Sequence, residues 1–97
     1  IGPAAFYNCD RLESVTVPSS VTYLGRDAFR SCDDLTSVSL PSSLTKIDEG
    51  AFSYCSKLPT ITIPLSVTSI HIIYSLFSYT ILFLKVLPAF SYLKIYV

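Results

Sequence analysis

Three cysteines, Cys9, Cys32 and Cys55, stand 23 residues apart. A fixed cysteine interval first raises a metal site or a disulfide. Tetrahedral zinc needs four converging ligands. A disulfide needs Cβ atoms about 3.5–4.5 Å apart with side chains that meet. Chain wound at this interval would instead set the three side chains in a parallel column, about 4.8 Å from neighbour to neighbour. That column suits neither chemistry, and the expected state is a ladder of buried free thiols acting as small hydrophobes. His71 is the only histidine. With a cysteine or serine it could make a nucleophile–base pair, but no spacing sets it beside one, and a surface histidine at a turn is expected. The acidic pairs Asp33-Asp34 and Asp48-Glu49 fit solvated loops better than a general acid–base pair. No phosphate-binding glycine loop and no zinc spacing occur. The inventory predicts no metal, no cofactor and no enzymatic activity.

The same interval governs other residues. Ala5-Phe6 returns as Ala28-Phe29 and Ala51-Phe52. Leu12, Leu35 and Leu58 repeat in register, as do Pro18, Pro41 and Pro64. A fixed period in this range marks a solenoid or a similar array. The copies run over residues 1–23, 24–46 and 47–69, each with apolar residues at matching slots, in the second copy Leu24, Ala28, Phe29, Cys32, Leu35, Val38, Leu40 and Leu44. The alternation within Leu35–Leu40 predicts a short half-buried strand, with counterparts at Leu12–Val17 and Leu58–Ile63. The proline that follows each has no N–H for a ladder, and serines behind it suit a turn. Gly25–Ser31 is too short for a regular helix and predicts a single helical turn. One coil buries too little to stand alone, so stacking between coils must supply the stability.

Composition divides the chain. It carries seven basic and seven acidic residues, so no basic excess points to nucleic acid and no acidic run to a disordered tail. All the acidic residues lie between Asp10 and Glu49, and after Lys57 only Lys85 and Lys94 carry a full charge. Methionine is absent and Ile1 opens in mid-repeat, as expected of a fragment of a longer array. The expected division is therefore residues 1–69 as three repeats and residues 70–97 as an apolar C-terminal segment. The Ala-Phe signature fails at Tyr74-Ser75. Three readings of the tail stay open: a degenerate coil packed on the array, a membrane-spanning helix over residues 70–90, or a misread gene end. Lys85 and Lys94 would favour a cytoplasmic end, while Pro88 counts against a span.

The spacing of Leu12, Val15 and Val17, the run Leu24-Gly25 through Ala28-Phe29 to Cys32, and the element Pro18-Ser-Ser-Val-Thr22, returning over residues 41–45, resemble the leucine-rich repeat of the BspA-like class. Asp48 and His71 depart from the glycine of that pattern, at what is expected to be an exposed turn. The resemblance covers residues 1 to about 70 and implies an α/β-type, mainly β solenoid, with short parallel strands on one face and turns and single helical turns on the other. It also implies proteins of the cell surface or secreted proteins, in bacteria and protists, that bind host or matrix proteins.

Between the buried strand slots stand Ser14 and Thr16, Ser37 and Ser39, Thr60 and Thr62. They should form two parallel rows. Simple solvation of a strand accounts for them, and so does a ligand-contact face, since solenoids bind partners on such extended surfaces. An ordered-water, ice-binding grid is disfavoured by mixed serine and threonine over only three coils. The leading expectation is a protein-interaction or adhesion module using these six residues, with a protein ligand. The alternative is a set of spacer coils with a C-terminal membrane anchor and no ligand of their own.

Overall fold

The computed structural model describes residues 1–59, 61–71 and 94–96. Among the described residues six short strands follow in order: β1 (Ser14–Thr16), β2 (Tyr23–Leu24), β3 (Ser37–Ser39), β4 (Lys46–Ile47), β5 (Ser69–His71) and β6 (Lys94–Tyr96). Every pairing is parallel. β1 pairs with β3, matching Ser14 to Ser37 and Thr16 to Ser39. A second ladder runs β2-β4-β5-β6, with Leu24 opposite Ile47, Ile47 opposite Ile70 and Ile70 opposite Ile95. The step from Ser69 to Lys94 is two residues longer than the 23 of the earlier coils. Residues 72–93, where the membrane-span and degenerate-coil readings fall, lie outside the described residues. No helix among the described residues is long and apolar enough to cross a membrane.

Each side of the coil has its own cause. After β1 and β3 a proline ends the strand, and its carbonyl accepts the amide three residues on, from Pro18 to Val21 and Pro41 to Leu44, both at 3.1 Å. The same turn follows Pro64, closing on Val67 at 3.1 Å. This turn redirects the chain into the second ladder. The Ala-Phe side, expected to be a single helical turn, is a run of hydrogen-bonded turns instead. Ala28 donates to Gly25 and Arg30 to Asp27, both at 3.1 Å, while the intervening amides of Phe29 and Ser31 donate to Ala51 and Ser53 of the next coil at 2.8 Å. Left-handed backbone at two fixed places per coil prevents a helix. Ala4, Asp27 and Gly50 have φ of 54°, 58° and 71°, and Asn8, Ser31 and Tyr54 have φ of 61°, 60° and 59°. For a residue other than glycine that conformation costs roughly 1–2 kcal/mol, which the inter-coil bonds offset.

The strand expected at Leu58–Ile63 is not formed at Ile61–Ile63. Pro59 explains this. Its counterpart Thr36 donates its amide to Glu13 O at 2.8 Å, and proline has no such donor. His71, expected at a turn, lies within β5.

The core follows the repeat slots. Leu24, Ala28, Phe29, Cys32, Leu35 and Leu44 are fully buried, and all eight slots of the third copy are buried. In the first copy Val17 alone is buried, while Ile1, Cys9, Leu12, Val15 and Val21 pack partly against the core. Phe6, Phe29 and Phe52 stack as a column, with centroids 5.1 and 5.4 Å apart and planes within 5° and 2° of parallel. Gly25 of the second coil packs against the backbone of Gly2 and Pro3 in the first. A Cβ there would stand 2.6 Å from Gly2 C and Pro3 N, both backbone atoms that cannot yield. Gly25→Ala is therefore expected to destabilise by about 1–3 kcal/mol, the range for overpacking. In hydrogen exchange the amides of Ala4, Phe6 and Asn8, which bond to the second coil, should lose protection before those of Phe29 and Ser31. Uniform loss across all coils would contradict a local clash.

Candidate functional site

β1 and β3 each expose their outer residues and half-bury the central valine. The register brings Ser14 beside Ser37 and Thr16 beside Ser39. Among the described residues, the hydroxyls of these four make no hydrogen bond to protein, so both rows are open to solvent or to a partner. Thr62 is also exposed, but it stands outside the ladder. With Val38, Ser39, Leu40, Ser42 and Pro64 it lines an open depression of about 400 Å³. Thr60 lies outside the described residues.

Other repeated hydroxyls have a different role, which sequence reasoning did not separate from the rows. Thr36 donates to Glu13 O at 3.1 Å, Thr45 to Thr22 O at 3.0 Å and Thr68 to Thr45 O at 3.4 Å. Each ties its coil to the one before. The signal that tells the two sets apart is the slot: these threonines enter a strand or leave a turn, whereas the rows lie on the strands themselves. Charge at the margin is internally compensated. Lys57 Nζ stands 2.7 Å from Asp34 Oδ1, and that hydrogen bond holds the lysine pKa above its usual value.

The cysteines form the expected column. Cys9 is half-buried, and Cys32 and Cys55 are buried free thiols. Each buried thiol donates to a phenylalanine carbonyl of the preceding coil, Cys32 to Phe6 O at 3.2 Å and Cys55 to Phe29 O at 3.1 Å. Burial pushes the Cys32 thiol up and drives Cys55 up to about 12. These groups are poor nucleophiles and poor metal ligands, because both roles need the thiolate. No cluster of three or more potential metal-ligating side chains occurs among the described residues.

A second polar cluster lies on the β2–β4–β5 side. Tyr23 donates its hydroxyl to Asp48 Oδ2 at 2.9 Å, and the Glu49 amide donates to Asp48 Oδ1 at 2.7 Å. The Glu49 amide is the main cause holding Asp48 below the usual carboxylate range, followed by the Tyr23 hydroxyl, with Lys46 and His71 adding to it against the opposing effect of burial. The same bond raises Tyr23. Lys46 Nζ lies 5.5 Å from the centre of the Tyr23 ring. Asp48 is thus a half-buried anchor between coils rather than a solvated loop residue. The available signal was the pair of departures, Asp48 and His71, stacked 23 residues apart where the earlier coils carry glycine.

Over residues 1–91 the sequence matches the family described as BspA type leucine rich repeat region, in six copies. Three solved structures are similar. A leucine-rich repeat protein of T. pallidum is 38% identical, with TM-score 0.71, over 72% of this chain and 33% of that one. A leucine-rich repeat protein from Bacteroides ovatus is 37% identical, with TM-score 0.69, over 72% of this chain and 18% of that one. A leucine rich cell surface protein from Faecalibacterium prausnitzii is 27% identical, with TM-score 0.51, over 81% of this chain and 31% of that one. The chain thus spans a third or less of the length of each. No curated protein is significantly similar in sequence.

Proposed function

The chain belongs to the BspA-type leucine-rich repeat family, and we propose that it is a protein-binding module acting at the cell surface or after secretion. The observation that carries this reading is the pair of exposed hydroxyl rows, Ser14 with Ser37 and Thr16 with Ser39, held in register and free of protein partners. A short parallel ladder with unengaged donors and acceptors suits multivalent contact, with little affinity from each coil. The internally paired margin, Lys57 with Asp34, favours no single-sign ligand such as nucleic acid. The likeness to a leucine rich cell surface protein supports the location, and adhesion to a host or matrix protein is the finer form of the reading. Thr62 extends the face beyond the ladder, and Thr60 belongs to the same proposed rows.

The test is binding of the full chain to immobilised extracellular-matrix proteins. Lysine at Thr16, Ser39 and Thr62 together is expected to weaken binding at least about tenfold, since charged groups forced against an uncharged interface cost several kcal/mol when left unpaired. The circular-dichroism spectrum and thermal midpoint should not change, because all three side chains are exposed. Binding unaffected by the triple substitution, or no binding by the parent chain, would sink the strand-face reading.

A further inference from the structure

The second ladder carries polar residues that the strand face does not use. In β4 and β5 Lys46 lies opposite Ser69 and the buried Ile47 opposite Ile70. Asp48 and His71 follow one residue on. Alternate residues of an extended chain share a face, so Lys46, Asp48, Ser69 and His71 stand on the outer side while the isoleucines point inward. Together the four line an open depression of about 270 Å³. Two opposite charges flank it without meeting. Lys46 forms no ion pair among the described residues, and its ammonium lies 5.5 Å from the centre of the Tyr23 ring. Asp48 is held in place by the Tyr23 hydroxyl at 2.9 Å and the Glu49 amide at 2.7 Å. Each bond takes one acceptor site on its oxygen, and a carboxylate offers about four in all. The Ser69 hydroxyl makes no hydrogen bond among the described residues.

We infer that this depression binds a small zwitterion of the α-amino acid type, with its carboxylate on Lys46 and Ser69 and its ammonium on Asp48. Charge complementarity selects the class. Lys46 and Asp48 are two residues apart, about 6.6 Å along extended chain. An ammonium and a carboxylate carried on one carbon bridge that gap, each through a charge-assisted hydrogen bond of about 2.7–2.9 Å. A lone anion would meet Lys46 but also the fixed charge of Asp48. A lone cation would meet Asp48 but also Lys46. A ligand with both charges answers both walls. Size points the same way, because drug-sized ligands occupy sites of about 300–1,000 Å³, and this depression is smaller. The Glu49 amide, the Tyr23 hydroxyl and the nearby Lys46 and His71 keep Asp48 ionised, so the acidic wall is charged before a ligand arrives. None of these residues belongs to the β1–β3 rows.

The probe is glycine, titrated into the full chain labelled for amide spectroscopy. Saturable shifts are expected at the amides of residues 46–49 and 69–71, and not at those of β1 or β3. N-acetylglycine lacks the ammonium and glycinamide lacks the carboxylate. Each should bind at least about tenfold more weakly, as expected when a hydrogen bond between charged groups is lost. Lys46→Met keeps an apolar stem and leaves both bonds to Asp48 in place. It should weaken glycine at least about tenfold and leave glycinamide no weaker than in the parent chain. A general loss of structure would weaken both. No saturable shift with glycine would overturn the inference, as would equal shifts from N-acetylglycine, glycinamide or sodium chloride. Unchanged glycine affinity in Lys46→Met, or an equal loss for glycinamide, would overturn it too. Lysine at Thr16, Ser39 and Thr62 should leave glycine binding as it is, so this site and the strand face stand or fall separately.

Discussion

Phe29→Ala is expected to remove about 3–5 kcal/mol of folding stability, the range for deleting a fully buried phenylalanine. Phe29 has no exposed surface and is the middle ring of the column, stacked on both Phe6 and Phe52. Its loss therefore removes two aromatic contacts and leaves a cavity that coils joined by hydrogen bonds along the Ala-Phe side cannot readily close. Domains of ordinary size have about 5–15 kcal/mol in total, so this one change takes a large share of it. Phe6→Ala should cost much less, because Phe6 is 41% exposed and, among the described residues, stacks on Phe29 alone. Urea denaturation followed by circular dichroism measures both. A loss below about 1 kcal/mol at position 29 would mean that the column does not hold the coils together.

The thiols give the second large effect. At pH 8 a group shifted from 9.0 to about 12 has about a thousandfold less thiolate, and thiolate is the reacting species. In the native protein Ellman's reagent should therefore modify half-buried Cys9 first and buried Cys55 far more slowly, with all three reacting alike once urea unfolds the chain. Equal native rates would contradict the buried column. The pH dependence has a definite sign. The folded-state pKa of Cys55 lies above its unfolded value, so the folded state holds more protons than the unfolded state between them. The stabilisation is complete below pH about 9 and is lost as pH rises through about 12. Thermal midpoints should fall across that window, and Cys55→Ala should remove part of the fall.

Sequence reasoning reached the features that repeat as residue types. The cysteine column, the eight apolar slots and the Ser/Thr pairs of the first two coils are visible because the same chemistry recurs every 23 residues. It missed what repeats only as conformation. The left-handed positions are occupied by Ala4, Asp27 and Gly50, and by Asn8, Ser31 and Tyr54, and these share no chemistry to detect. Without them a helical turn is the natural expectation for Gly25–Ser31. The second ladder was hidden for another reason. β2 and β4 are two residues long, too short for alternation to register, and the column from Tyr23 through Lys46 to Ser69 has no common residue type. At Leu58–Ile63 alternation and proline gave opposite indications. The proline prevailed, because a missing donor is a backbone fact while alternation reports only burial.

The direction of the bonds between coils has a consequence for length. On the Ala-Phe side the earlier coil donates to the later one, as from Phe6 N to Ala28 O and Phe29 N to Ala51 O. At the ends of the second ladder the later coil donates to the earlier, as from Thr45 N to Thr22 O and Asp48 N to Leu24 O. Peptide dipoles around each coil therefore point both ways between coils and partly cancel along the axis. An α-helix sums its dipoles and carries about half a charge at each end, whereas sheets with alternating groups carry almost none. A rod built this way accumulates little polarity of the helical kind. Adding coils therefore raises little electrostatic penalty at its tips.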